Sequence, residues 1–233
     1  LSDPDGGLDL ESHVDHVVDP SDPDAALKHH NKGKAHAKKG EHDLALESYQ
    51  KALEIRKFRS DPNSPLLSQL FHDIGKAHFK TSEHDLALES YQEALDLRLE
   101  QSPEDDPDLI GIYNDMGKVH LEIQGGYEQA VECCQKVLGI HLKQQPMGNL
   151  DAAKVHRKIA KLHYDKGEYD LALECNRKAM VIRRKQLAPQ SPRQHHLDLA
   201  DSYRSYGLTL LRKDKLRESR DYLEKALDIY LNK

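Results

Sequence analysis

Small and bulky residues alternate along this 233-residue chain at helical spacing, and the alternation recurs. Gly33, Gly75, Gly117, Ala160 and Gly207 fall at equivalent places in one set of amphipathic stretches. Ala45, Ala87, Ala130, Ala172 and Ser219 are their counterparts in the stretches that follow. Seven residues further on come Ala52, Ala94, Val137, Ala179 and Ala226. A small side chain on each member of a helix pair lets the two backbones approach closely. The pattern predicts ten helical segments arranged as five pairs.

The breaks agree with that division. All ten prolines fall in the first 24 residues or between the predicted pairs, and none interrupts a helical pattern. Asp22-Pro23, Ser64-Pro65, Asp106-Pro107 and Ser191-Pro192 each read as a capping residue followed by Pro at the first helical position. Asn149 takes the capping role after Pro146. Within the pairs, Gly40, Gly125-Gly126 and Gly167 suit a left-handed turn. Thr81-Ser82 and Lys213-Asp214 fill that turn in the second and fifth units.

Residues 41–50 (Glu-His-Asp-Leu-Ala-Leu-Glu-Ser-Tyr-Gln) recur unchanged at 83–92, and a looser copy begins at Tyr169. A fixed offset of 42 residues marks duplication of a structural unit. In register, the segment spans the turn and second helix of its unit. Leu44, Ala45 and Tyr49, like Leu86, Ala87 and Tyr91, are expected to pack between helices while the charged residues face solvent. Specificity is then expected on the first helices, where the copies have diverged.

The second unit shows the pattern most fully, with Phe71, Ile74, Gly75 and His78, then Ala87, Tyr91, Ala94 and Leu95. This resembles the tetratricopeptide repeat, over about residues 25–233. The usual unit is about 34 residues, and the longer units here end in Ala-Leu-Glu-Ile-Arg or Ala-Leu-Asp-Leu-Arg. With a Pro-x-x-x-Pro-Asp-Leu linker, they are similar to kinesin light chain and its relatives. The resemblance implies an all-α fold, an α-solenoid winding as a right-handed superhelix of five helix-turn-helix repeats. Their bounds are about 25–60, 61–103, 104–146, 147–189 and 190–233. It also implies a concave face, lined by the first helices, that grips peptides or partner proteins.

Charge is unevenly spread. Residues 1–24 hold eight acidic residues and no Lys or Arg, so this segment reads as a disordered acidic tail. The remainder carries 34 basic against 32 acidic side chains, not the basic excess of a nucleic-acid binder. No apolar run approaches the roughly 20 residues of a membrane span. Cys133, Cys134 and Cys175 have neither disulfide nor metal-ligand spacing and fit a reducing, intracellular, cytoplasmic setting. The chain opens on Leu rather than Met, which suggests an excerpt of something longer or a processed product.

The candidate chemistry is binding, not catalysis: no nucleophile–base pattern, phosphate loop or dinucleotide motif appears, and neither metal nor cofactor is expected. His36, His78, His120 and His163 occupy one equivalent position and are expected to be buried, neutral packing rings. Groove residues should lie two before and one after each small residue. The earlier position reads Asn31, Asp73, Asp115, Lys158 and Ser205; the later reads Lys34, Lys76, Lys118, Lys161 and Leu208. In kinesin light-chain relatives asparagines near the earlier position hold the peptide backbone, which only Asn31 and the neighbouring Asn114 echo. Lys76 and Lys118 each follow an Asp by three residues and can pair with it. Lys154, Arg157, Lys158 and Lys161 share a face with no acid among them. With Arg204 they are expected to form a basic pocket for an acidic peptide, one the acidic tail could itself occupy. The last helix, from Leu216 to Leu231, has more apolar groups than one face can bury, so further chain, a partner or self-association is expected to cover it.

Overall fold

The computed structural model describes residues 24–58, 65–145, 149–188 and 191–232. All of their regular structure is helical. The chain divides into two compact units, residues 1–62 and 63–233. The first holds α1 (Ala25–Lys39) and α2 (His42–Phe58). The second holds α3 (Pro65–Lys80), α4 (His84–Gln101), α5 (Leu109–Glu122), α6 (Tyr127–Gln144), α7 (Leu150–Lys166), α8 (Tyr169–Gln186), α9 (Arg193–Arg212) and α10 (Leu216–Asn232). The acidic tail up to residue 23, the Ser64 cap and Pro146 lie outside the described residues.

Each unit is built from hairpins of two antiparallel helices, and the small residues set how closely these pack. A Cβ added to Gly33 would lie 2.4 Å from the Tyr49 ring, and one on Gly75 2.6 Å from Tyr91. At Gly117 the neighbour is Cys133, and at Gly207 it is Leu223. Each of these contacts joins residues 16 apart, a side chain of the second helix filling the notch left by the first. Tyr49 and Tyr91 are consequently buried, at 2 and 0% exposure. Leu44 and Leu86, expected to join them, are instead 45 and 44% exposed. Each precedes the buried Ala by one residue in the first turn, which turns its side chain about 100° away from the partner helix.

Within the second unit each helix packs chiefly on its neighbours in sequence, so the four hairpins stack in chain order as a helical solenoid. Tyr91, Leu95, Leu109, Ile112, Val119 and Ile140 form one core cluster; Val131, Cys134, Val137, Val155 and Ile159 continue it. In the first unit Ala25, Ala26 and Ile55 close the hairpin.

The turns follow the expected scheme, with local exceptions. Gly40 and Gly167 end α1 and α7 at φ values of 81° and 85°. Ser82 and Asp214 adopt the same left-handed conformation, at 64° and 56°. Asn149 caps α7, its side chain accepting from the N–H groups of Asp151 and Ala152. Two expected caps act elsewhere. Asp106 accepts from Asp108 N–H (3.0 Å) and α5 begins only at Leu109; Ser191 Oγ accepts from Ala188 N–H (2.9 Å) rather than capping α9.

The histidine column departs most from expectation. His36, His78 and His163 are only partly buried, and each Nδ1 lies 2.6 to 2.7 Å from a carboxylate oxygen of Glu41, Glu83 or Glu168. They are latches across the turn, joining the end of one helix to the start of the next. His120 has Gly125 at the corresponding place and no such partner; burial lowers its pKa.

Candidate functional site: a basic cleft between α7 and α9

The residues two before and one after the small position meet in the fourth and fifth hairpins. Lys158 and Lys161 of α7 face Ser205 and Leu208 of α9 across a cleft of about 600 Å³. Lys154, Arg157, Tyr164 and Asp165 continue the α7 wall, and Asp198 and Arg204 the α9 wall. Seven residues singled out in the sequence thus share one cavity. Arg183, which was not singled out, reaches it from α8.

The patch is less bare than the sequence implied, because its hydrogen-bonding and ion-pair partners come from other turns and other repeats. Lys154 pairs with Asp151 one turn earlier (2.8 Å). Arg157 Nη1 donates to Asp201 of α9 (3.3 Å), and Arg204 also approaches Asp201 (3.7 Å). Tyr230 of α10 donates to the same carboxylate. Burial alone would raise the Asp201 pKa, but these contacts hold it below the ordinary value. Lys158 Nζ donates to Asn114 Oδ1 of α5 (3.1 Å). Lys161, an exposed cation at the lip, has no ion-pair partner among the described residues.

The remaining groove residues lie elsewhere. Asn31 and Lys34 are exposed on α1, within the first unit. In the second unit, Lys76 pairs with Asp73 (3.2 Å) and Lys118 with Asp115 (2.7 Å), as their spacing predicted. The sequence did not reveal that Asp115 is shared with His72 of α3, whose Nε2 lies 3.0 Å from it. Desolvation would raise the Asp115 pKa; the hydrogen bonds from His72 and Lys118 more than offset this and bring it to about 2. Lys76 and His72 line a second cleft of about 440 Å³, which Arg98 enters from α4. Asp73, Asn114, Asp115 and Lys118 are not among the residues lining either cleft.

Arg183 was legible in one respect. It closes Ala-Met-Val-Ile-Arg, the fourth-unit counterpart of the helix endings at Arg56 and Arg98. In sequence that ending marks kinship among the repeats; the fold is what brings it to the groove.

Stacked helical hairpins with a charged cleft between successive first helices define an all-helical repeat protein. The sequence profile of the tetratricopeptide repeat matches residues 24–100 and 151–232, and the chain belongs to that family. A putative kinesin light chain from Podosopora anserina with nearly identical repeats superposes with a TM-score of 0.71 at 15% identity, over 91% of this chain and 98% of that one. BtubC from P. vanneervenii gives 0.61 at 15% identity, over 89 and 90%. YrrB, a repeat protein with an unusual peptide-binding site, gives 0.56 at 18% identity, over 88 and 86%. No curated protein matches in sequence. At these identities the likeness extends to the fold.

Proposed function

We propose that the chain is a non-catalytic scaffold that grips an extended acidic segment of a partner protein in the α7–α9 cleft. The observation that carries this reading is the cleft's lining: six cationic side chains against Asp165 and Asp198, with Tyr164 and Leu208 as apolar surface. Such a surface attracts carboxylates and offers an apolar neighbour a place to dock. The peptide-binding site described for YrrB supports the same use of this fold. A thiol nucleophile at Cys133 is disfavoured, because burial, reinforced by Cys134, pushes its pKa up to about 11. The free thiols Cys133, Cys134 and Cys175 accord with a reducing, cytoplasmic setting. Among the described residues no helix is long and apolar enough to cross a membrane.

Fluorescence anisotropy tests the proposal with a labelled peptide of alternating Glu and Leu. Binding should weaken about tenfold or more when Lys154, Arg157, Lys158 and Lys161 are reversed to Glu, and log K should fall as salt rises. Equal affinity for the folded reversal variant would overturn it.

A second reading, a subunit of a larger assembly, draws on α10. Leu216, Leu227 and Leu231 there are 65, 54 and 74% exposed, more apolar surface than a lone helix usually shows. Sedimentation showing a monomer at every accessible concentration would remove self-association through this helix.

A further inference from the structure

Arg98 and Arg183 stand in the same register, in the last turn of α4 and of α8. Arg98 is held by two carboxylates of the segment that follows its helix. Its Nε donates to Asp106 (2.9 Å) and its Nη2 to Asp108. These acids lie eight and ten residues beyond the arginine. The same steps beyond Arg183 lead to Ser191 and Arg193, a neutral group and a cation. The fourth unit has kept the arginine and lost both of its anions.

Arg183 is nevertheless buried, at 4% exposure. Its Nη1 donates to the Asp198 carbonyl oxygen and to Ser202 Oγ. Neither acceptor carries a charge, and no carboxylate among the described residues forms an ion pair with the guanidinium. Nε and Nη2 have no hydrogen-bond acceptor among those residues. The last-turn carbonyls of α8 supply some negative potential. Against that stand the loss of hydration and the nearby charge of Arg157, which outweigh the pull of Asp198 and Asp201 and depress the Arg183 pKa. A desolvated charge with no carboxylate bonded to it is costly, and this one lines the 600 Å³ cleft.

We propose that Arg183 is the anchor for a carboxylate side chain of the partner segment, which takes the place that Asp106 and Asp108 fill at Arg98. The proposal rests on the reading of the cleft as a peptide site and names its specificity-determining contact. The free Nε–Nη2 edge can take a carboxylate side-on through two parallel hydrogen bonds. Leu208, 38% exposed, and Tyr164 lie on the same walls. The favoured ligand is therefore an Asp or Glu with a bulky apolar neighbour.

The test uses the full chain and two labelled peptides, one of alternating Glu and Leu, the other of alternating Gln and Leu. Wild type should prefer the Glu peptide by about tenfold or more, the worth of a charged hydrogen bond. Arg183→Met should lose most of that preference and Arg183→Lys should keep part of it, with folding checked by circular dichroism. Should Arg183→Met not fold, the wild-type Arg183 Nε–H resonance gives the answer. It should move on addition of the Glu peptide and stay in place with the Gln peptide. An undiminished preference in folded Arg183→Met, or a resonance that ignores the Glu peptide while it binds, would overturn the anchor and leave the cleft reading standing. Failure of the Glu peptide to bind wild type would overturn both.

Discussion

Gly75 of α3 lies directly under the ring of Tyr91, so that a methyl group there would sit 2.6 Å from the ring carbons. Two effects of opposite sign meet at this position. Replacing a helical glycine by alanine stabilises a helix by about 1 kcal/mol. Tyr91 is fully buried and has nowhere to go, and overpacking costs about 1–3 kcal/mol. The clash is the larger effect, so Gly75→Ala should lower stability to urea by up to about 2 kcal/mol. Gly139 in α6 is the control: a Cβ there meets nothing within 4 Å, and Gly139→Ala should raise stability by about 1 kcal/mol.

Asn176 occupies the same notch-filling register in the fourth unit, opposite Ala160. It is completely buried, and neither its side-chain nitrogen nor its oxygen has a hydrogen-bond partner. An unmet buried polar group costs about 1–3 kcal/mol. The fifth unit places Leu223 at this position, a branched apolar side chain of similar length packed opposite Gly207. Asn176→Leu should therefore raise the thermal midpoint. A lower midpoint would mean that the amide is satisfied by an internal water.

What could be read from the sequence divides along the range of the interactions. The hairpins were legible because the small residues that set them, such as Gly75 and Ala87, recur at helical spacing within one unit. The Lys76–Asp73 and Lys118–Asp115 pairs were legible because they lie one helical turn apart. The partners of Arg157 and Lys158 were not, since each comes 44 residues away, from the neighbouring first helix. The duplicated segment misled in one place, because repetition of Leu44 and Leu86 says nothing about which way they face. The histidine column misled because its partner, a Glu five residues on, belongs to the next helix.

Asp214 adopts φ 56° where the first and fourth units place Gly40 and Gly167. A left-handed residue costs about 1–2 kcal/mol, and glycine's extra unfolded-state entropy returns about 0.5–1 kcal/mol of any gain. The balance favours Asp214→Gly by about 0.5–1 kcal/mol, measurable in urea.

Acid should destabilise the fold before its carboxylates titrate. His156 of α7 is 8% exposed, its Nδ1 has no partner, and burial together with Lys178 lowers its pKa against the opposing pull of Glu174. A group with a depressed folded pKa binds protons more readily when unfolded. Its contribution is complete above the unfolded value of about 6.5 and declines as pH falls below it. His120 has the same sign. Wild type should lose stability between pH 7 and pH 5, and His156→Leu should flatten that slope. The latch carboxylates Glu41, Glu83 and Glu168 have lowered pKa values, so their contribution is lost only further down, below about pH 4.5.

Asp201 joins three elements, receiving Arg157 from α7, Arg204 from its own helix and Tyr230 from α10. It supports the fold and at the same time neutralises the cleft. Asp201→Asn keeps the shape and one acceptor oxygen but removes the charge, so stability should fall by about 1 kcal/mol, the scale of a partly exposed ion pair. Arg157 and Arg204 would then present their charge to the cleft with no carboxylate beside them. Affinity for the Glu-containing peptide should rise several-fold, and its salt dependence should steepen because more counter-charge is expressed at the site. Affinity for the Gln-containing peptide should not change. A gain for both peptides would assign the effect to loosened packing, and a loss for the charged one would show that Asp201 positions Arg157 for binding rather than masking it.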